Sequence, residues 1–162
     1  MNSLKRKKIY FDRLENAPAP ITARAKRRSN FSEVDMLSVV WHGRYAAFFE
    51  DAYSKIGRKC GLTYQDYKKY NLVAPVAQLH IDYHKPLHLE EKFIIQASMI
   101  WTNAPKINTE YTIFKEDNTI ACTGYTVQPF ISTIDRSICF TTPEFYKAVQ
   151  KRWLNGEFND EQ

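Results

Sequence analysis

The first twenty residues show no regular hydrophobic period and close on Ala17-Pro-Ala-Pro20, where proline favours extended backbone and cannot carry a helix. From Ile21 the chain alternates loosely. Ile21, Ala23 and Ala25 fall on one side and Thr22, Arg24 and Lys26 on the other, which predicts a first strand running to about Phe31. The period then changes. Trp41, Tyr45, Phe48, Phe49, Ala52 and Ile56 recur at steps of three and four, one apolar face of a helix starting near Val40 to His42, with Gly57 and Gly61 as stops. A short second helix is expected over Tyr64–Tyr70. Four alternating runs follow: Val76–Tyr83, Phe93–Trp101, Ile107–Ile113 and Ala121–Val127. In the first, Leu79, Ile81 and Tyr83 face opposite to His80 and Asp82. Turn chemistry at Lys85-Pro86, Thr102–Pro105 and Glu116–Asn118 separates the runs, and three consecutive strands with short connections predict an antiparallel meander. At the end, Thr142 as cap, Pro143 at the first helical position and a Phe145, Val149, Trp153 stripe predict a last helix, stopped by Gly156.

One long apolar helix before a meander is best buried by wrapping an antiparallel sheet around it, an α+β architecture with an extra C-terminal helix. With 162 residues the chain is the size of one domain, and 44% hydrophobic and 25% charged residues exclude wholesale disorder. The expected division is a basic, flexible arm over 1–20, the main domain over 21–140 and a C-terminal helix and tail over 141–162.

Charge adds one feature. Residues 1–30 carry nine basic side chains against Asp12 and Glu15, a balance of +7 in a chain whose total is +5, so the remainder carries −2. Such an arm suits an anionic partner or serves as a solubilising tail. No apolar run is long enough to span a bilayer, and none follows Lys5–Lys8 as a secretory leader requires. Cys60, Cys122 and Cys139 are odd in number and widely spaced, which fits reduced, buried thiols and a cytoplasmic location. His80, His84 and His88 lie on strand and turn, so their four-residue spacing builds no metal face; no metal or cofactor is expected. No Gly-rich phosphate loop, serine elbow or nucleic-acid motif is present beyond the basic arm.

The stretch Phe31–Glu50 is the richest in chemistry. Asp35 precedes the helix, whose first N–H groups lack internal partners and carry partial positive charge. Such donors polarise a carbonyl, and a nearby carboxylate attacks it or activates water. The alternatives are an acid that only favours the helix dipole, and a His42 with no chemical role.

This stretch resembles the active-site segment of the hotdog-fold acyl-CoA thioesterases, the group of 4-hydroxybenzoyl-CoA thioesterase and the Tol-Pal-associated thioesterases. Glu33-Val-Asp35, Val39-Val-Trp-His42, Tyr45 and Phe49-Glu50 carry the resemblance, together with Ala74–Pro86 and Leu89–Phe93. The resemblance covers about residues 21–131 and implies a hotdog fold and hydrolysis of an acyl-CoA or acyl-carrier-protein thioester. It implies Asp35 as nucleophile or general base, the backbone N–H near His42 as carbonyl donor, and the His42 side chain as a second catalytic group. It further implies that Trp41 and Tyr45 stand on the substrate side, that Pro75 and Val76 reach the site from a partner copy in a homodimer or homotetramer, and that Lys106 meets CoA phosphates. Three positions depart from the family: Leu37-Ser38 where glycine is common, Tyr53 where arginine is frequent, and Thr102–Lys106 where one branch is arginine-rich. A non-catalytic acyl-thioester sensor or nucleic-acid-associated module of the same fold, using the basic tail, is an alternative that Leu37-Ser38 and the sparse Thr102–Lys106 loop support. A hotdog dehydratase is another, although its histidine before a Pro-Gly step has no counterpart here.

Overall fold

The computed structural model describes residues 9–160; Lys5–Lys8 of the basic arm lie outside them. The alternating runs become strands β1 (Ile21–Arg28), β3 (Gln78–Tyr83), β4 (Lys92–Ile100), β5 (Lys106–Lys115) and β6 (Ile120–Pro129). All pair antiparallel, in the order β1-β4-β5-β6-β3. Two-residue strands β2 (Leu72–Val73) and β7 (Ile131–Ser132) form a small second sheet too short for any periodicity to announce.

The long helix α1 (Tyr45–Cys60) lies against the sheet, as the apolar spacing predicts. Phe48, Phe49, Ala52 and Ile56 are buried against Ile95, Ala97 and Met99 of β4 and Tyr111 and Ile113 of β5. Phe49 stacks on Tyr111 with ring centroids 4.3 Å apart, and Phe48 meets Phe93 at 5.1 Å. Burying each such ring contributes roughly 1.5–3 kcal/mol, so this interface fixes the helix axis and hence where its N-terminus points. Trp41 departs from the expectation: it precedes the helix and is about half exposed. Gly57 is an interior residue, with a built Cβ only 2.9 Å from the Leu62 carbonyl oxygen, and Gly61 in the left-handed region at φ 75° ends the helix.

Helix α2 (Tyr64–Lys69) starts from Thr63, which exchanges hydrogen bonds with Asp66 in a capping box. Helix α3 (Glu144–Leu154) takes Pro143 as its cap, one residue later than expected, and buries Tyr146, Val149 and Trp153 while Phe145 is half-buried. Trp153 donates from Nε1 to the Ala19 carbonyl at 2.7 Å, joining the two ends of the chain. Residues 10–13 cross the outer sheet face, where the buried Glu110 accepts from the Tyr10 and Phe11 amides and from Arg13. The thiols of Cys60, Cys122 and Cys139 are free; Cys139 is half-buried and the other two buried. Among the described residues no helix is long and apolar enough to cross a membrane.

Candidate active site

Strand β1 ends at Arg28; the next residue, Ser29, donates its hydroxyl to the His88 carbonyl at 2.5 Å and its amide to the Glu91 carbonyl at 3.1 Å. The chain then turns through Phe31–Glu33, a single helical turn. Glu33 is buried and accepts the Asn30 amide at 2.9 Å. Its carboxylate also pairs with Arg27 of β1, and Arg27 reaches Asp51 of α1 at 2.6 Å with its guanidinium 4.7 Å from the centre of the Phe48 ring. One arginine thus ties sheet, loop and helix together, which accounts for the acid two residues before Asp35.

Asp35 lies exposed at the head of a tight turn. Its Oδ1 accepts the Leu37 amide at 2.8 Å, its amide donates to Val39, and its carbonyl accepts the Ser38 amide at 3.0 Å. Ser38 sits in the left-handed region at φ 59°, a conformation glycine adopts without steric cost. That is the position where the resembled family commonly has glycine. Bridges from Val34 to Val40 and from Val39 to His88, with the Val40 amide on the Leu87 carbonyl at 2.8 Å, seat the turn on the connection between β3 and β4.

After Val40 the chain enters a single helical turn, His42–Arg44, that runs straight into α1. The His42 and Gly43 amides occupy a first turn, where N–H groups lack an intrahelical acceptor. The Trp41 ring folds over Gly43 so closely that a Cβ there would lie 2.2 Å from a ring carbon. Trp41 also meets the His42 ring at 4.9 Å, and both side chains are exposed.

Below this entry is a cavity of about 260 Å³ walled by Val40, His42, Tyr45, Tyr83 and the His84–Pro86 turn. Tyr83 donates its hydroxyl to the His42 carbonyl at 2.7 Å and packs edge-on against Tyr45 at 4.9 Å, which fixes the start of the helix. Burial pushes the Tyr45 phenol up to about 12, so it stays protonated at neutral pH. His84 shares a hydrogen bond of 2.7 Å with Thr123.

The structure therefore gathers His42 and Tyr45 into one cavity wall and sets Asp35 on the adjoining exposed turn, one residue from the Val34–Val40 bridge. Trp41 borders the turn but does not line the cavity. Tyr83 and the His84–Pro86 turn are additions; Tyr83 stood on the apolar face of an alternating run, which marks it for the core rather than for a site. Pro75 and Val76 precede β3 and lie at its opposite end from Tyr83. Lys106 starts β5, whose other end faces β4 at Phe93, so the ten-residue length of the strand, about 30 Å, separates it from the Asp35 end of the sheet. Within one chain Lys106 does not join this site. Among the described residues no three His, Cys, Asp or Glu side chains come together as a metal cage.

A five-stranded antiparallel sheet around one long helix, with the helix entry opening beside a carboxylate turn, defines a hotdog-fold protein. Residues 37–122 match the model of the thioesterase superfamily, more than half of the chain, and the chain belongs to that family. The match begins just after Asp35. A protein of Aquifex aeolicus provisionally named an esterase is 27% identical over 96 residues, which cover 59% of this chain and 75% of that one. One of Bacillus subtilis, provisionally named an acyl-CoA thioesterase, is 29% identical over 65 residues, 40% of this chain and 47% of the relative, so the match spans about half the Bacillus protein. The structure of a DHNA-CoA thioesterase from Staphylococcus aureus aligns with a TM-score of 0.71 at 26% identity, covering 86% of this chain and 97% of that one.

Proposed function

We propose that the protein hydrolyses acyl-CoA thioesters, with Asp35 as the catalytic carboxylate and the first-turn amides at His42 as the carbonyl donors. The observation that carries this reading is the turn of residues 35–39. It holds Asp35 by the Leu37 amide and leads through the Val34–Val40 bridge to the helix entry, so acid and donors belong to one rigid piece of backbone. A thioester carbonyl placed at the entry directs its oxygen to the amides, which stabilise the negative charge formed on attack. Asp35 either attacks the carbon itself, forming an anhydride that water opens, or takes a proton from the attacking water. In both cases the C–S bond breaks, the thiolate leaves and is protonated, and the acid is released. His42, exposed beside the entry, is placed to supply or remove a proton, and Trp41 and Tyr45 flank the path of the acyl group.

Pro75 and Val76 support a paired form of the molecule. β3 is an edge strand with β6 on one side; it exposes Leu79 and Tyr83, and Val76 just before it is exposed as well. Two copies pairing antiparallel along β3 about a two-fold axis bring Pro75 and Val76 of one beside Tyr83 and His84 of the other, completing the cavity wall.

The test is thiol release from a panel of short, long and aromatic acyl-CoAs. Turnover of at least one class is expected. Tight binding without thiol release from any of them would replace the hydrolase by a binding protein.

A further inference from the structure

A cavity of about 620 Å³ lies at the C-terminal end of β1, bordered by Lys26, Arg27, Arg28, Lys92, Ile94 and Glu116. Its charge pattern is not what a sheet needs for stability. Arg28 stands directly opposite Lys92 in the β1–β4 register, and Lys26, two residues along, shares their face. Like charges opposed across strands are destabilising. Arg27 turns inward and is consumed by Glu33 and Asp51, but Lys26, Arg28 and Lys92 are exposed and, among the described residues, form no ion pair. Glu116 is the single acid on the rim. Beside the cations lies an apolar step at the half-buried Ile94, opposite Lys26 on one side; on the other it faces Phe114, whose ring lies under the Arg24 guanidinium at 5.7 Å. Three unpaired cations next to a flat apolar step suit a ligand that carries several phosphates and an aromatic base.

The groove also shares its end of the sheet with the candidate active site. Lys92 follows directly on the 87–91 connection, whose His88 and Leu87 seat the Asp35 turn and whose Glu91 accepts the Ser29 amide. Arg27 lines the groove and holds Glu33 of the same loop. A ligand with an acyl thioester at one end and a phosphorylated nucleoside at the other can therefore lie along one continuous surface.

We infer that this groove binds the phosphorylated adenosine end of CoA, with Lys26, Arg28 and Lys92 on the phosphates and Ile94 under the base. The assignment rests on the acyl-CoA reading above, and it replaces Lys106 as the phosphate contact within one chain.

Adenosine 3′,5′-bisphosphate, which lacks the thioester, separates the two claims. By calorimetry it should bind the wild-type protein, more weakly as salt is raised, and the triple variant Lys26→Gln, Arg28→Gln, Lys92→Gln should lose roughly tenfold or more of that affinity. The same variant should melt no lower than wild type, since it relieves the opposed charges. Its KM for acyl-CoA should rise by a similar factor with kcat little changed, while turnover of the phosphate-free N-acetylcysteamine thioester stays as it was. Equal binding of the bisphosphate to both proteins, or an equal KM rise for the phosphate-free thioester, overturns the assignment. So does a wild-type protein that ignores the bisphosphate but whose turnover of an acyl carrier protein the triple variant loses, because the groove then docks a protein. Bisphosphate binding by a wild-type protein that hydrolyses nothing would uphold the groove and sink the Asp35 mechanism alone.

Discussion

At the scale of single residues, Ser38 shows how local backbone geometry serves the site. A non-glycine residue in the left-handed region costs roughly 1–2 kcal/mol, and here the cost maintains the turn that presents Asp35. Ser38→Gly should leave turnover near wild type. Ser38→Val, whose branched Cβ tolerates that region poorly, should lower stability by about 1–2 kcal/mol and reduce turnover by displacing Asp35. Melting curves and thiol release on both variants check this; a valine variant as active and as stable as wild type would mean the turn does not position the acid. Asp35 and His42 could be singled out as candidates in the sequence because acid, spacing and apolar helix all lie within one short stretch. The turn closure was not, since the partners that seat it, Leu87 and His88, lie some fifty residues on in the chain and are recruited by strand pairing.

At the scale of elements, period two and period three-to-four located the long strands and helices, most of which bury one face in a single core; β3, which buries none of its residues, was marked by alternation alone. The pattern misjudged positions where an apolar residue is not core. Trp41 continued the helical spacing but covers Gly43 outside the helix, and Phe145 is half-buried while Tyr146 takes the buried place. Strand β3 carries the prediction at this level. It lies beside the last strand of the β4–β5–β6 meander at an edge of the sheet, and exposed apolar edges invite pairing with another copy. Wild-type protein should sediment as a dimer or a multiple of it. Val76→Glu should weaken that association and lower turnover, because the acid would be forced beside Tyr83 of the second copy. A wild-type monomer that is fully active would remove the two-chain site. Pro75, Val76 and Lys106 could be placed by motif alone; which end of the sheet they occupy depends on strand order, which periodicity does not encode.

At the scale of the molecule, the segment after the basic run is held across the outer sheet face through Glu110. Burial opposes ionisation of this carboxyl, but the Arg13 guanidinium and the Phe11 and Tyr10 amides outweigh it and hold Glu110 below the usual carboxylate range. A depressed folded pKa contributes stability that is fully present above the unfolded value of about 4.3 and is lost as pH falls through the folded value. Acid titration followed by melting should therefore show a loss of stability below about pH 4 that Glu110→Gln largely removes, at the cost of lower stability at neutral pH. An identical acid limb in the variant would show that the segment is held by other contacts. The uneven charge of the chain was visible from composition, but composition could not show that residues 10–13 lie on the sheet, or that the unpaired cations of β1 border the active-site loop.

The most direct test of the central claim compares thiol release by wild type and Asp35→Asn on the best acyl-CoA of the panel, with melting temperature measured on both. The expected result is an unchanged fold and a loss of at least about a hundredfold in kcat, the scale of a removed catalytic acid–base or nucleophilic group. A folded Asp35→Asn variant that turns over at the wild-type rate would contradict the assignment of Asp35 and move the search for the catalytic group to the cavity of His42, Tyr83 and His84.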